Sequence, residues 1–155
     1  MADQRPYQPL TTFNFKVNLR LPGDGDREIC NAEFSECSGL EMSLEPKTIR
    51  EGGNNGGPVH LLGQVSYGQL SLKRGMTGNF DLWNWFERVQ SDRGVRASGE
   101  VIMLSSARKE NVKFELTGCL PTKISAPGLN ALSGQHAIEE MQIIYETLSL
   151  VPVEK

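Results

Sequence analysis

At 155 residues, with a formal charge of −3 and a pI near 5.4, the chain can build one core, is too short for two ordinary domains, and lacks the clustered cationic field that stable nucleic-acid binding needs. Sixteen glycines and eight prolines beside an apolar share of 38% favour a turn-rich β architecture over a helical bundle. Cys30, Cys37 and Cys119 form an odd set without a CxxC pair, so thiols filling a core are expected rather than a disulfide framework. Nothing approaches the ~20 apolar residues of a membrane span, and residues 1–6 lack the apolar centre of a signal peptide. The expectation is a soluble product that stays where it is made unless a machine carries it out, with no direct membrane insertion by the monomer.

Residues 1–12 are polar with two prolines and read as a flexible leader. From Phe13 the chain alternates, with Phe13, Phe15, Val17, Leu19 and Leu21 set against Asn14, Lys16, Asn18 and Arg20, the period of a strand with one buried and one wet face. The run Pro-Gly-Asp-Gly-Asp over 22–26 forces a turn. A returning strand over 28–35 then places Cys30, Ala32 and Phe34 on one face. Gly39 breaks the pattern. Met42 and Leu44 restart it and lead to the tip at 50–58, which carries four glycines and two asparagines in nine residues. Such a tip demands positive φ angles and cannot lie inside a helix or a regular strand. Alternation resumes over 67–73 through Leu70 and Leu72. Residues 39–74 are therefore read as an extended arm with a glycine-rich tip. Ordering it in solvent has an entropic cost that a neighbouring subunit is best placed to offset, so the chain reads as an assembly part.

Thr77 or Asn79 is expected to cap a helix in which Phe80, Trp83, Phe86 and Val89, supported by Leu82 and Trp85, recur at helical spacing until Gly94. Its aromatic stripe suits packing against a sheet. Val101 to Leu104 and then Val112, Phe114 and Leu116 suggest an antiparallel pair around the charged turn 107–111. Pro121 interrupts the second of these and implies an edge or a bend. A loop over 126–134 precedes a last long strand over 137–150, where Met141, Ile143 and Tyr145 alternate with Glu140, Gln142 and Glu146. The whole is expected to be one mainly β domain over 1–155: two packed antiparallel sheets as a sandwich or partly closed barrel, one flanking α-helix, and the long extended arm.

No enzymatic constellation emerges. His60 and His136 lack the local partners that a metal cluster or triad requires. Glu139 and Glu140, adjacent on a strand, face opposite sides, which is poor for paired acid–base work. No Gly-Lys-Ser or Gly-Lys-Thr follows the glycine-rich tip, so it is no phosphate cradle. No cofactor and no metal are implied.

Ser38-Gly39-Leu40-Glu41, Ile49-Arg50-Glu51-Gly52-Gly53-Asn54, Leu70-Ser71-Leu72-Lys73-Arg74-Gly75, the helix around Trp83 to Phe86, and Pro121 with Leu129-Asn130 together resemble the phage tail tube family. That family comprises inner-tube subunits of contractile tails and of phage-tail-like extracellular contractile injection systems. The resemblance spans about Phe13 to Leu148. It implies a non-enzymatic subunit made and assembled in the bacterial cytoplasm, forming homohexameric rings that stack into a hollow tube within a virion or injection particle. Implied partners are contractile sheath subunits, baseplate and tube-end proteins, and a cargo of effector protein or DNA in the lumen. Candidate subunit or ring contacts are Gly39, Leu40, Glu41, Arg50, Glu51, Gly52, Gly53, Lys73, Arg74 and Gly75. Glu140, Gln142 and Glu146 are candidate lumen-facing residues, and the wet side of Lys16, Asn18 and Arg20 is a second candidate face. Three alternatives stay open: a secretion-system tube subunit resembling haemolysin-coregulated protein, a specialised ring at the tube's base or end, and, in a different class, a small β-barrel ligand-binding module or enzyme.

Overall fold

The computed structural model describes residues 10, 14–22, 27–53 and 56–153. The leader apart from Leu10, the strand start at Phe13 and the turn residues 23–26 lie outside the described residues. Strands β1 (Phe15–Leu21) and β2 (Arg27–Ala32) form the expected hairpin, with Val17 opposite Ala32 and Leu19 opposite Cys30. A three-residue strand, β3 (Glu36–Ser38), was not foreseen; it pairs with β6 (Gln69–Gly75). Between them lie β4 (Met42–Ile49) and β5 (Val59–Tyr67), which pair only with each other. Helix α1 (Asp81–Ser91) is followed by β7 (Ala97–Leu104), β8 (Glu110–Ser125), β9 (Ile138–Ile144) and β10 (Thr147–Pro152).

The sixteen-residue β8 is shared by two antiparallel sheets. Its first part lies between β7 and β10, continuing the order β2-β1-β7-β8-β10, and its second part opens the order β8-β9-β6-β3. The bend between them falls at Gly118, whose φ is +63°, and at a register slip between Pro121 and Lys123. Pro121 therefore bends a strand that runs on to Ser125 instead of interrupting it, because a register shift accommodates the missing N–H. The last long strand is likewise two. β9 pairs beyond the bend and β10 before it, and the chain crosses at Tyr145 and Glu146, where the Glu146 N–H donates to the Thr117 carbonyl at 2.8 Å.

Side chains from both sheets meet in one core. Val17, Leu19, Leu116 and Cys119 come from the first sheet and Leu70, Leu72, Met141 and Ile143 from the second, all at most 1% exposed. The helix closes one side with Leu82 and Trp85. The aromatic stripe is rotated from the expected one: Phe80 is 52% exposed, while Leu82 and Trp85 are the buried anchors. Neither Thr77 nor Asn79 is the cap residue; Phe80 is, without a side-chain bond of its own. Asn79 still satisfies one orphan donor, accepting from the Asp81 N–H at 3.2 Å. Asn18 departs from the wet face assigned to it. It is 7% exposed, placed between Asn31 and Glu100 on neighbouring strands.

The arm is shorter than 39–74. β6 belongs to the second sheet, since Leu70, Leu72 and Arg74 point into the core, and only β4, the tip and β5 leave the sandwich.

Two glycines with positive φ should respond differently to a methyl group. A Cβ on Gly39, at φ +94°, would lie 1.8 Å from the Gln69 carbonyl oxygen, whereas on Gly118 it would meet only the Glu146 side chain. Gly39→Ala is expected to cost on the order of 2–5 kcal/mol and Gly118→Ala about 1–2 kcal/mol. Denaturant melts of the two variants check the order, and equal losses would contradict it.

Candidate functional site

The arm leaves the sandwich through a clamp. Tyr145, just past β9 and 6% exposed, directs its hydroxyl at the strand entering β4. The hydroxyl accepts from the Glu41 N–H at 3.1 Å and donates toward the carbonyls of Gly39 at 2.7 Å and Glu41 at 3.0 Å. Its ring packs at a tilt on Tyr67, at the end of β5, with centroids 5.7 Å apart. The Gly68 N–H donates to the Glu41 carbonyl at 3.0 Å. Both legs of the hairpin are thereby tied to one phenol, and Gly39 is required because any side chain there would strike the Gln69 backbone.

Beyond that root, β4 and β5 are exposed along almost their whole length. The register places Met42 opposite Tyr67, Leu44 opposite Val65 and, past a bulge, Pro46 opposite Leu62. Directly opposed residues share a face, so one side of the arm is apolar from its root, with Met42 60%, Leu44 47%, Val65 46% and Leu62 80% exposed, and the other turns apolar toward the tip, with Ile49 44%, Val59 36% and Leu61 45% exposed. The other side begins polar, with Ser43 and Ser66 hydroxyls 2.7 Å apart. Arg50, Glu51, Gly52 and Gly53 stand exposed at the tip, where Gly53 and Gly57 have φ of +92° and +108°; residues 54 and 55 lie outside the described residues. Sequence reading named this tip and the root residues Gly39, Leu40 and Glu41, and missed both the clamp and the apolar side. Met42, Leu44, Leu62 and Val65 read simply as strand residues, because periodicity reports alternation and not whether a second layer covers it.

The motif Lys73-Arg74-Gly75 divides. Lys73 faces out and pairs with Glu36 at 3.5 Å, and Gly75 ends β6 at the surface. Arg74 points inward and is 7% exposed, which removes its side chain from the candidate contact surface. Its guanidinium binds Glu139 at 2.5 Å and Asp81 in a salt bridge, stacks 5.4 Å from the Phe34 ring centre, and shares Glu139 with the Trp83 indole N–H at 2.9 Å. Burial opposes its charge, but the bonds to Asp81 and then Glu139 outweigh that and hold its pKa above the ordinary arginine value. Helix α1, β6 and β9 are joined by this hub.

The outward side of the second sheet is polar and cross-linked in its middle, between Ile138 and Ile144 at the ends of β9. Glu36, Lys73, Glu140 and Ser125 fall in one row, and Ser38, Ser71, Gln142 and Lys123 in the next. Ser71 donates to Glu140 at 2.9 Å, and Gln69 donates to Thr122 at 2.9 Å and to Gln142 at 3.3 Å. Glu140 and Gln142 thus share one face. Glu146 does not join them, because β9 ends at Ile144 and Glu146 lies against Gly118 at the sheet crossing.

Reactive chemistry finds little here. Burial pushes the thiols of Cys30, Cys37 and Cys119 up to about 12, so they stay protonated and unreactive at neutral pH. His60 lies on the arm 3.4 Å from the Thr48 hydroxyl. His136 lines a cradle of about 500 Å³ whose wall contains no carboxylate. Among the described residues no three His, Cys, Asp or Glu side chains gather as a metal site, and no helix is long and apolar enough to cross a membrane.

The sequence pattern of the T4-like virus tail tube protein gp19 family matches residues 11–149. No curated protein matches the chain. Among solved structures, a chain in the six-fold symmetrised baseplate of the anti-feeding prophage is similar at 26% identity and a TM-score of 0.83, covering 97% of this chain and 100% of that one. A chain from the sheath–tube complex of an extracellular contractile injection system, PVC, gives 19% and 0.79, covering 94% and 93%. Hcp1 from Salmonella typhimurium shares the fold more distantly, at 13% and 0.53, covering 86% and 83%.

Two substitutions probe the clamp and the hub. Tyr145→Phe should cost about 1–2 kcal/mol and speed hydrogen exchange at the Glu41 amide, while slow exchange in that variant would contradict the clamp. Arg74→Ala leaves Glu139 buried without its cation and should cost about 3–5 kcal/mol. The double change Arg74→Met with Glu139→Met should recover a large part of that loss; a double variant as unstable as the single one would contradict the reading.

Proposed function

Because the chain belongs to the T4-like virus tail tube protein gp19 family, we propose that it is a tube subunit of a contractile injection system, six copies forming a ring and rings stacking into a hollow tube. The observation that carries this reading is the arm: a two-stranded ladder with an apolar side that nothing among the described residues of its own subunit covers. A solitary hairpin is marginal in water, so the arm acquires its full stability when another copy lies against it. Similarity to chains from a baseplate and from a sheath–tube complex supports sheath, baseplate and tube-end proteins as partners of the assembled tube.

The subunit's work in this reading is mechanical. Gly39, Leu40 and Glu41 set the angle of the arm, and Arg50, Glu51, Gly52 and Gly53 make contacts at its end. Gly75, at the end of β6, lies on the surface that neighbouring copies share, whereas Lys73 stands in the row of Glu140. The face bearing Glu140 and Gln142 lines the lumen, where hydrogen-bonded, charge-balanced side chains occupy the middle of the sheet and Ile138 and Ile144 stand partly exposed only at the two ends of β9. No reaction is performed. Assembly takes place in the bacterial cytoplasm, and the product is part of a virion or extracellular injection particle.

Deleting residues 52–57 should abolish long tubes or shorten them severely in electron micrographs, with the monomer still folded; normal long tubes would overturn the arm's part in assembly. Replacing Glu140 and Gln142 by lysine should leave tubes intact and slow cargo loading. Unchanged loading and release would remove these residues from the lumen.

A further inference from the structure

The outward side of the second sheet changes character from row to row. Successive outward rows lie two residues apart along the strands, about 7 Å. Gln69 and Ile144 begin the series, with Ile144 43% exposed. The row of Ser38, Ser71, Gln142 and Lys123 follows and carries a single cation. Glu36, Lys73, Glu140 and Ser125 come next, two carboxylates against one ammonium. Ile138, 48% exposed opposite Gly75, ends it. The order is apolar, basic, acidic, apolar, and Lys73 with Lys123 balances Glu36 with Glu140. Most of these charges are engaged: Glu36 pairs with Lys73 at 3.5 Å, and Glu140 accepts from the Ser71 hydroxyl at 2.9 Å. Lys123 is exposed and has no ion pair among the described residues.

We propose that the cargo class this face serves is polypeptide and not duplex DNA, and that Lys123 is the residue on which the cargo's carboxylates seat. This deepens the tube reading and rests on it, and on the placement of this face toward the lumen. In a ring of copies Lys123 recurs as a basic belt, and Glu36 with Glu140 as an acidic belt about 7 Å away. That spacing is close to the screening length of about 8 Å at physiological salt, so each belt acts only on groups beside the wall. A polypeptide carries both signs and apolar side chains, and each finds a counterpart here: carboxylates at Lys123, cations at Glu36 and Glu140, apolar groups at Ile138 and Ile144. Every such contact is weak, which lets the chain be held and then released. Duplex DNA carries one sign, a charge per about 1.7 Å of axis. It meets unpaired lysines at every level of the stack and gains affinity from each through counterion release, while the isoleucines offer its phosphate exterior nothing. The wall that releases a polypeptide therefore arrests a duplex.

Retention by tubes assembled from the full chain tests this. The probe is a fluorescent disordered peptide with equal numbers of glutamate and lysine, present during assembly, after which the tubes are washed and sedimented. Lys123→Gln tubes should retain about tenfold less of it than wild type, since several weak ion pairs per peptide are lost together. Lys109→Gln, the same charge change on the turn between β7 and β8, should leave retention unchanged. A peptide with glutamine in place of glutamate should bind more weakly and respond to neither variant. Equal retention of the first peptide by wild-type and Lys123→Gln tubes overturns the seat. Where Lys123→Gln does not assemble, Gln142→Lys adds a cation to the same row and should raise retention severalfold; unchanged retention overturns the seat equally. Fluorescent duplex DNA loaded the same way should stay in wild-type tubes at a salt concentration that releases the peptide, and a duplex that leaves as fast as the peptide overturns the polypeptide assignment. If the wild-type chain forms no tubes, the tube reading itself falls. If tubes form with Lys123 on their outer wall, the tube stands and this inference falls.

Discussion

An apolar sheet face with no second layer behind it among the described residues is the constraint on which this protein turns. Elsewhere in the fold each strand face that carries leucine, valine or isoleucine inward finds a partner across the sandwich, and the residues so placed are almost fully buried. The arm cannot do this. Its strands pair with each other alone, and its side chains Met42, Leu44, Leu62 and Val65 remain in water. Burial of such groups is the dominant favourable contribution to association, so the free energy missing from the isolated subunit is recovered when copies meet. Sheet edges have the same incentive. β2 and β10 close one sheet and the short β3 one side of the other, and pairing edges between neighbours removes unpaired N–H and C=O groups that are otherwise an aggregation hazard.

Such an arm serves assembly only if its direction is fixed. A phenol placed by β9 holds both its legs, and β9 is held through Glu139 to Arg74 on β6 and through Trp83 to the helix. A buried ion pair of this kind adds little net stability compared with apolar packing, but breaking it is costly. Arginine, with its planar fork, can join Glu139 and Asp81 while stacking on Phe34, which lysine's point charge cannot reproduce. The result is one rigid line of contacts from α1 to the arm's root.

Much of this was legible in the residues. The alternation of Val17, Leu19 and Leu21 marked β1, the glycine-rich run marked the arm's tip, and the helix was found within a few residues of its bounds. What escaped depended on tertiary contact. Pro121 signals a bend, but only the register shift beside it tells that β8 continues. Tyr145 looked like one more alternating residue, although its hydroxyl organises the arm, since a hydrogen bond spanning 104 residues of sequence leaves no local trace. Arg74 was grouped with Lys73 and Gly75 as a candidate subunit contact. It is buried because β6 lies within the sheet rather than in the arm, an assignment that Leu70 and Leu72 alone could not make. Glu146 was grouped with Glu140 and Gln142 by period, and a crossing between sheets broke that period.

Cryo-electron microscopy of the purified full chain tests the central claim most directly. The account predicts stacked six-fold rings around a central channel, with each arm lying against another copy and its apolar side covered. Rings in which the arms project free into solvent, or a monodisperse monomer at high concentration under conditions that assemble tubes of this family, would contradict it.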